Sequence, residues 1–131
     1  MISVLISPAR RSPVQNNKIR FIMKRFLKKK KINEGVISLK IVTRQEMRNL
    51  NKQYRGLDEP TTVLTFSQQE TKKGQAFPQP LKVIGDLVIC LEEMEEKGLS
   101  LEELLIHGLK NLISGQPELL SQISSSKSNR T

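Results

Sequence analysis

The chain opens with a short apolar run, residues 2–6, that reads as a strand closed by Pro8. A helical recurrence follows. Over residues 14–31, Ile19, Ile22, Met23, Phe26 and Leu27 make one apolar stripe, with Lys24, Arg25, Lys28 and Lys31 opposite it. That helix is expected to dock by one face and show cations on the other, its basic last turn suiting the helix dipole. Residues 36–42 read as a second strand after a turn at Gly35. Thr43 and Glu46 then have the spacing of a capping box, Met47, Leu50 and Tyr54 supply a buried stripe, and Gly56 ends the helix. Residues 63–66 make a third strand. Residues 67–81 form a polar loop with Gly74, Pro78 and Pro80, long enough to imply either mobility or a function. Residues 83–90 read as a fourth strand interrupted by Gly85-Asp86, and residues 91–97 as a short acidic helix stopped by Gly98. Ser100 and Glu103 form a second capping box. The helix behind it carries Leu101, Leu104, Leu105, Leu109 and Leu112 on one face, with His107 and Asn111 together on a flank. Gly115 and Pro117 end that helix. The expected organisation is one domain over residues 1–115 and a serine-rich, disordered tail over 116–131.

Charge adds a polarity to this layout. The net charge is +9, but residues 1–31 hold ten Lys or Arg and no acid, while the remainder holds twelve against thirteen Asp or Glu. A basic first third on a neutral body points to a polyanionic partner, nucleic acid ahead of an anionic membrane surface. A solvated charged face is the other reading of Lys24, Arg25, Lys28 and Lys31. No apolar run approaches the roughly 18–20 residues of a membrane span. The apolar start, residues 1–7, is too short for a signal sequence and has no basic residues before it. An acid-free, Arg- and Ser-containing beginning is also the composition of an organelle transit peptide, but the same residues read as structured elements. The expected location is cytoplasmic.

Candidate metal chemistry is narrowed at once. His107 is the only histidine and Cys90 the only cysteine, so neither a multi-histidine metal site nor an internal disulfide can be built. Cys90 sits at a strand position and reads as core. Two stretches carry the remaining information. The first is Leu50-Asn51-Lys52-Gln53-Tyr54-Arg55-Gly56-Leu57-Asp58-Glu59-Pro60-Thr61-Thr62-Val63-Leu64-Thr65-Phe66; the second is Gly85-Asp86 with its apolar strand, followed by His107-Gly108. This order resembles the YbeY family of metal-dependent endoribonucleases of ribosomal RNA maturation, whose first motif is L-N-x-x-Y-R-G-x-D-x-P-T-D-V-L-S-F. Thr62 stands where the family has Asp, and Thr65 where it has Ser. The resemblance covers roughly residues 1–115.

The resemblance implies an α+β (α/β-like) fold, a four-stranded mixed β-sheet with helices packed against it. It implies a zinc cofactor, with ribosomal RNA and the small ribosomal subunit as partners. It also implies a role for Arg55, the family's substrate-binding or catalytic arginine, whose planar fork suits phosphate oxygens; a pairing of Arg55 with Asp58 is the alternative. The family's metal motif is H-G-x-L-H-L-x-G-Y-D-H. Two imidazoles four residues apart on a helix converge on one ion, and a third follows after a turn. Here His107 keeps the first ligand position, Asn111 occupies the second and Pro117 the third, with Lys110 adding a cation beside Asn111. The family's closing helix is replaced by the serine-rich tail, so part of the leucine stripe is expected to be exposed and the domain weakened. Three readings follow: a zinc-dependent, single-strand-specific endoribonuclease with an incomplete site; a non-catalytic RNA- or ribosome-binding member; or a frameshifted or truncated product whose departure begins at Lys110. Asp86, Glu92, Glu93, Glu95 and Glu96 offer carboxylates, but their spacing does not place them at His107.

Overall fold

The computed structural model describes residues 1–8, 13–67 and 83–114. The strands are β1 (Ile2–Ser7), β2 (Gly35–Ile41), β3 (Val63–Ser67) and β4 (Val83–Ile89). The helices are α1 (Pro13–Lys29), α2 (Arg44–Arg55), α3 (Leu91–Glu96) and α4 (Leu101–Ser114). The long polar loop and the serine-rich tail of the sequence reading lie outside the described residues, as does Pro117.

The sheet order is β1-β2-β4-β3. β1 and β2 are parallel, β2 and β4 are parallel, and β3 returns antiparallel to β4. This is the expected four-stranded mixed sheet of an α+β fold. β4 is continuous; its irregularity is a register shift between Val36 and Ile37, opposite Val83 and Gly85. In β1 the alternation is strict: Ile2, Val4 and Ile6 are buried and the residues between them face outward.

One face of the sheet carries the main core. The α1 stripe of Ile19, Met23 and Leu27 is fully covered there, beside Ile37, Leu39, Leu87 and Ile89 of the strands. α4 lies next to α1 on this face and packs against β3 and β4. Its Leu104, Leu105, Leu109, Leu112 and Ile113 are all buried. The expected exposure of the leucine stripe is corrected for these residues, which face the sheet and α1; Leu101, at the start of α4, is half-buried. The opposite face holds a smaller core, in which Met47 of α2 meets Val42, Leu64, Val88 and Cys90.

α2 begins as expected. The Thr43 side chain accepts from Glu46 N–H and the Glu46 carboxylate accepts from Thr43 N–H. It ends at Gly56 with φ +74, a left-handed cap. Its buried residues differ from the expected stripe. Met47 is buried, but Tyr54 is 57% exposed and packs edge-on against Phe66, while Asn51 is buried. The second capping box also forms, Ser100 with Glu103.

Candidate nucleic-acid cleft

Gly56 reverses the chain so that the segment after α2 doubles back along it. Buried Asn51 donates from Nδ2 to the Glu59 carbonyl at 2.8 Å, and Arg48 Nε meets Asp58 Oδ1 at 2.8 Å. Between this returning segment, β3 and α4 lies a cleft of about 540 Å³. Its lining includes Arg55, Thr61, Thr62, Lys97, His107 and Asn111.

The alternative pairing of Arg55 with Asp58 is overturned. Asp58 belongs to Arg48, whose guanidinium holds the carboxyl below its ordinary range by hydrogen bonding. Among the described residues Arg55 has no ion pair or hydrogen bond, and it is exposed to the cleft. An uncommitted guanidinium in a cleft offers its donor fork to an anion.

α4 reaches the cleft by packing closely on the sheet. A Cβ on Gly108 would stand 2.7 Å from Leu87 Cδ2 and 3.1 Å from Val63 Cγ2. With no side chain there, the helix seats tightly and His107 is set at the cleft wall. On the same flank Asn111 donates its amide to His107 Nε2 at 3.3 Å. The two residues are brought together, as their spacing required.

Lys97 is a cleft residue that the sequence reading missed. It is delivered by a polar clamp between the start of α2 and α3. Glu93, almost buried, takes Lys97 Nζ at 3.0 Å and also hydrogen-bonds the Arg44 guanidinium; Arg44 Nη2 reaches Glu96 at 2.8 Å. Hydrogen bonds from Lys97 and then Arg44 hold the Glu93 carboxyl below its ordinary range. The only sequence signal was the i, i+4 spacing of Glu93 and Lys97.

The described residues do not fit zinc. A zinc site takes at least three protein donors, drawn from imidazole, thiolate and carboxylate. Here one imidazole faces a neutral amide, a single nitrogen donor beside a poor one. Among the described residues no three of His, Cys, Asp and Glu come together as a metal site. Glu92, Glu93, Glu95, Glu96 and Asp86 do not line the cleft. Asp86 hydrogen-bonds Ser38 across the β2–β4 pair instead. Arg55, exposed in the same cleft, would further repel a dication.

The other candidate residues lie on α1. Lys24, Arg25 and Lys28 are exposed there, and Lys31 is exposed in the turn after the helix, with φ 63. They do not join the cleft. α1 contacts β1, at the edge opposite β3. Cys90 is free and buried, as expected for a core residue. Among the described residues no helix is long and apolar enough to cross a membrane.

The family model described as Endoribonuclease YbeY matches residues 9–113. An Endoribonuclease YbeY of a Sulfurihydrogenibium species is 34% identical over 100 residues, 70% of this chain and 62% of the relative. That of Halalkalibacterium halodurans is 31% identical over 113 residues, 76% of this chain and 71% of the relative. That of Aquifex aeolicus is 39% identical over 90 residues, 63% and 56% respectively. The chain thus spans less than two thirds of the length of the first of these relatives. A Thermotoga maritima protein solved in solution is 22% identical, with a TM-score of 0.47 over 94% of this chain and 89% of its own.

Proposed function

This chain belongs to the YbeY endoribonuclease family, and from that membership we propose that it binds single-stranded RNA through the cleft between α2, β3 and α4, without a metal ion. The observation that carries the reading is the composition of the cleft. Among the described residues Arg55 is uncommitted, Lys97 stands in the same lining, and the position of a second metal imidazole holds Asn111, whose amide meets His107. The Arg55 guanidinium by charge, and the hydroxyls of Thr61 and Thr62 by donating to its oxygens, suit a phosphodiester, while Lys97 is already paired with Glu93. By likeness to the family, the RNA is ribosomal RNA and the setting the small ribosomal subunit. The chain then acts as an RNA-binding member of an enzyme family.

One observation favours a second reading, in which the chain is a zinc-dependent endoribonuclease: His107 is held in the same cleft as Arg55. The two readings part on metal. The chain, loaded with excess zinc and desalted, is expected to retain well under one equivalent. It should bind a fluorescent single-stranded RNA equally with and without chelator, and Arg55→Ala should weaken that binding about ten-fold, the loss of one charge-assisted contact. Stoichiometric zinc together with chelator-sensitive cleavage would establish the enzyme reading instead.

A further inference from the structure

The outward face of α1 carries a feature that the cleft does not use. Phe21 is 63% exposed in the middle of the helix. Lys18, Lys24, Arg25 and Lys28 are exposed three, three, four and seven residues from it, on the same solvent stripe. The Arg25 guanidinium carbon lies 5.9 Å from the Phe21 ring centroid. α1 has no acid in its first turn, and residues 1–31 contain none at all. Among the described residues none of Lys18, Lys24, Arg25 and Lys28 has an ion pair.

We infer that this face is a second RNA-binding surface, selective for unpaired nucleotides, in which a base stacks on Phe21 while the surrounding cations hold its phosphates; the inference rests on the RNA-binding reading above. A single exposed phenyl ring is ordinary on a surface; what distinguishes Phe21 is the set of cations around it on the same helix face. A ring flanked by cations matches a single strand, which presents a flat base and a phosphate together. Paired RNA has its bases stacked inside the helix and offers no free face to Phe21. Arg25 keeps the ring partly covered in the absence of RNA and is placed to stack on the base in its presence. A membrane surface fits less well. A helix lying in a bilayer interface inserts several large apolar residues, whereas among the described residues Phe21 is the one large exposed hydrophobic of α1. The face and the cleft sit towards opposite edges of the sheet, so one strand crossing the molecule would engage both.

The test uses the full chain with an unstructured oligoribonucleotide and a duplex of equal length. Phe21→Ala is expected to weaken single-strand binding by about five-fold or more, the range of one lost base stack, and to leave duplex binding unchanged. Phe21→Tyr, which keeps the ring, should restore it, while Phe21→Leu should not. A 2-aminopurine in the single strand should be quenched by the parent chain and less so by Phe21→Ala. Equal binding by the parent and Phe21→Ala would overturn this surface, and the cleft reading would survive if Arg55→Ala still weakened binding. No RNA binding by the parent would overturn both. Phe21-dependent binding to anionic vesicles without RNA binding would reassign the face to a membrane.

Discussion

At the level of single residues, the cleft depends on two small features, one steric and one polar. Gly108 lets α4 seat on β3 and β4. Replacing it with Ala adds about 1 kcal/mol of helix propensity. It also drives a methyl into Leu87 and Val63, at 2.7 and 3.1 Å, inside a covered core. Such overpacking costs about 1–3 kcal/mol, so the clash should win. Gly108→Ala is expected to lower unfolding stability by about 1 kcal/mol in urea titration, and Gly108→Val by more. Asn51 is the polar feature. Its amide holds the Glu59 carbonyl and so fixes the segment that leads to Thr61 and Thr62. Asn51→Ala should cost about 1 kcal/mol of stability, the ordinary net worth of such a bond. Asn51→Asp should lose at least as much, because a carboxylate cannot donate to that carbonyl.

Between elements, the clamp that joins α2 to α3 sets the position of Lys97, and it titrates. The folded-state value of Glu93 is lowered by its hydrogen bonds with Lys97 and Arg44. A carboxylate with a lowered folded value adds stability above its unfolded value, near 4.3. That contribution is lost as pH falls through the folded value. The melting temperature of the parent should therefore exceed that of Glu93→Gln at neutral pH, and the gap should narrow as pH is brought below about 4. A gap that is constant across this range would show the clamp to be indifferent to charge. The clamp also marks what the sequence could disclose. Both capping boxes were legible, because each is a local i, i+3 pattern. The stripes of α1 and α4 were legible, because each helix buries one broad face on the sheet. α2 was not, since only part of it lies over the sheet. Tyr54 at its far end is left half outside, and Asn51 is buried by a partner eight residues on. The Arg48–Asp58 pair and the delivery of Lys97 depend on chain reversal and on contacts between elements, which periodicity does not encode. His107 and Asn111 were legible as neighbours from spacing alone, and Arg55 at their cleft from the resemblance; that Lys97 shares it was not.

Over the whole molecule, the charge asymmetry of the sequence becomes a spatial one. The cations of α1 lie on a helix that contacts β1, and the cleft cations lie towards the β3 edge, with α4 next to α1 on the same face of the sheet. Adjacent strands are about 4.8 Å apart, so the two edge strands are separated by roughly 14 Å, and a strand of RNA that reaches both surfaces must at least cross that width. Long-range charge would then set affinity jointly from both ends. For single strands the slope of log K against log salt is about −0.7 per phosphate neutralised. Lys24 and Lys28 are exposed, one turn apart and without ion pairs among the described residues. The double variant Lys24→Ala, Lys28→Ala should thus make the slope shallower by about 1.4 on a strand long enough to reach both edges. On a strand too short to leave the cleft, the same variant should leave the slope unchanged, whereas Arg55→Ala should reduce it on both. Measuring the slope against oligonucleotide length therefore separates one extended RNA path from two independent sites. If the two lysines contribute equally at every length, the strand binds α1 without crossing the molecule, and the continuous path is wrong even though both surfaces bind RNA.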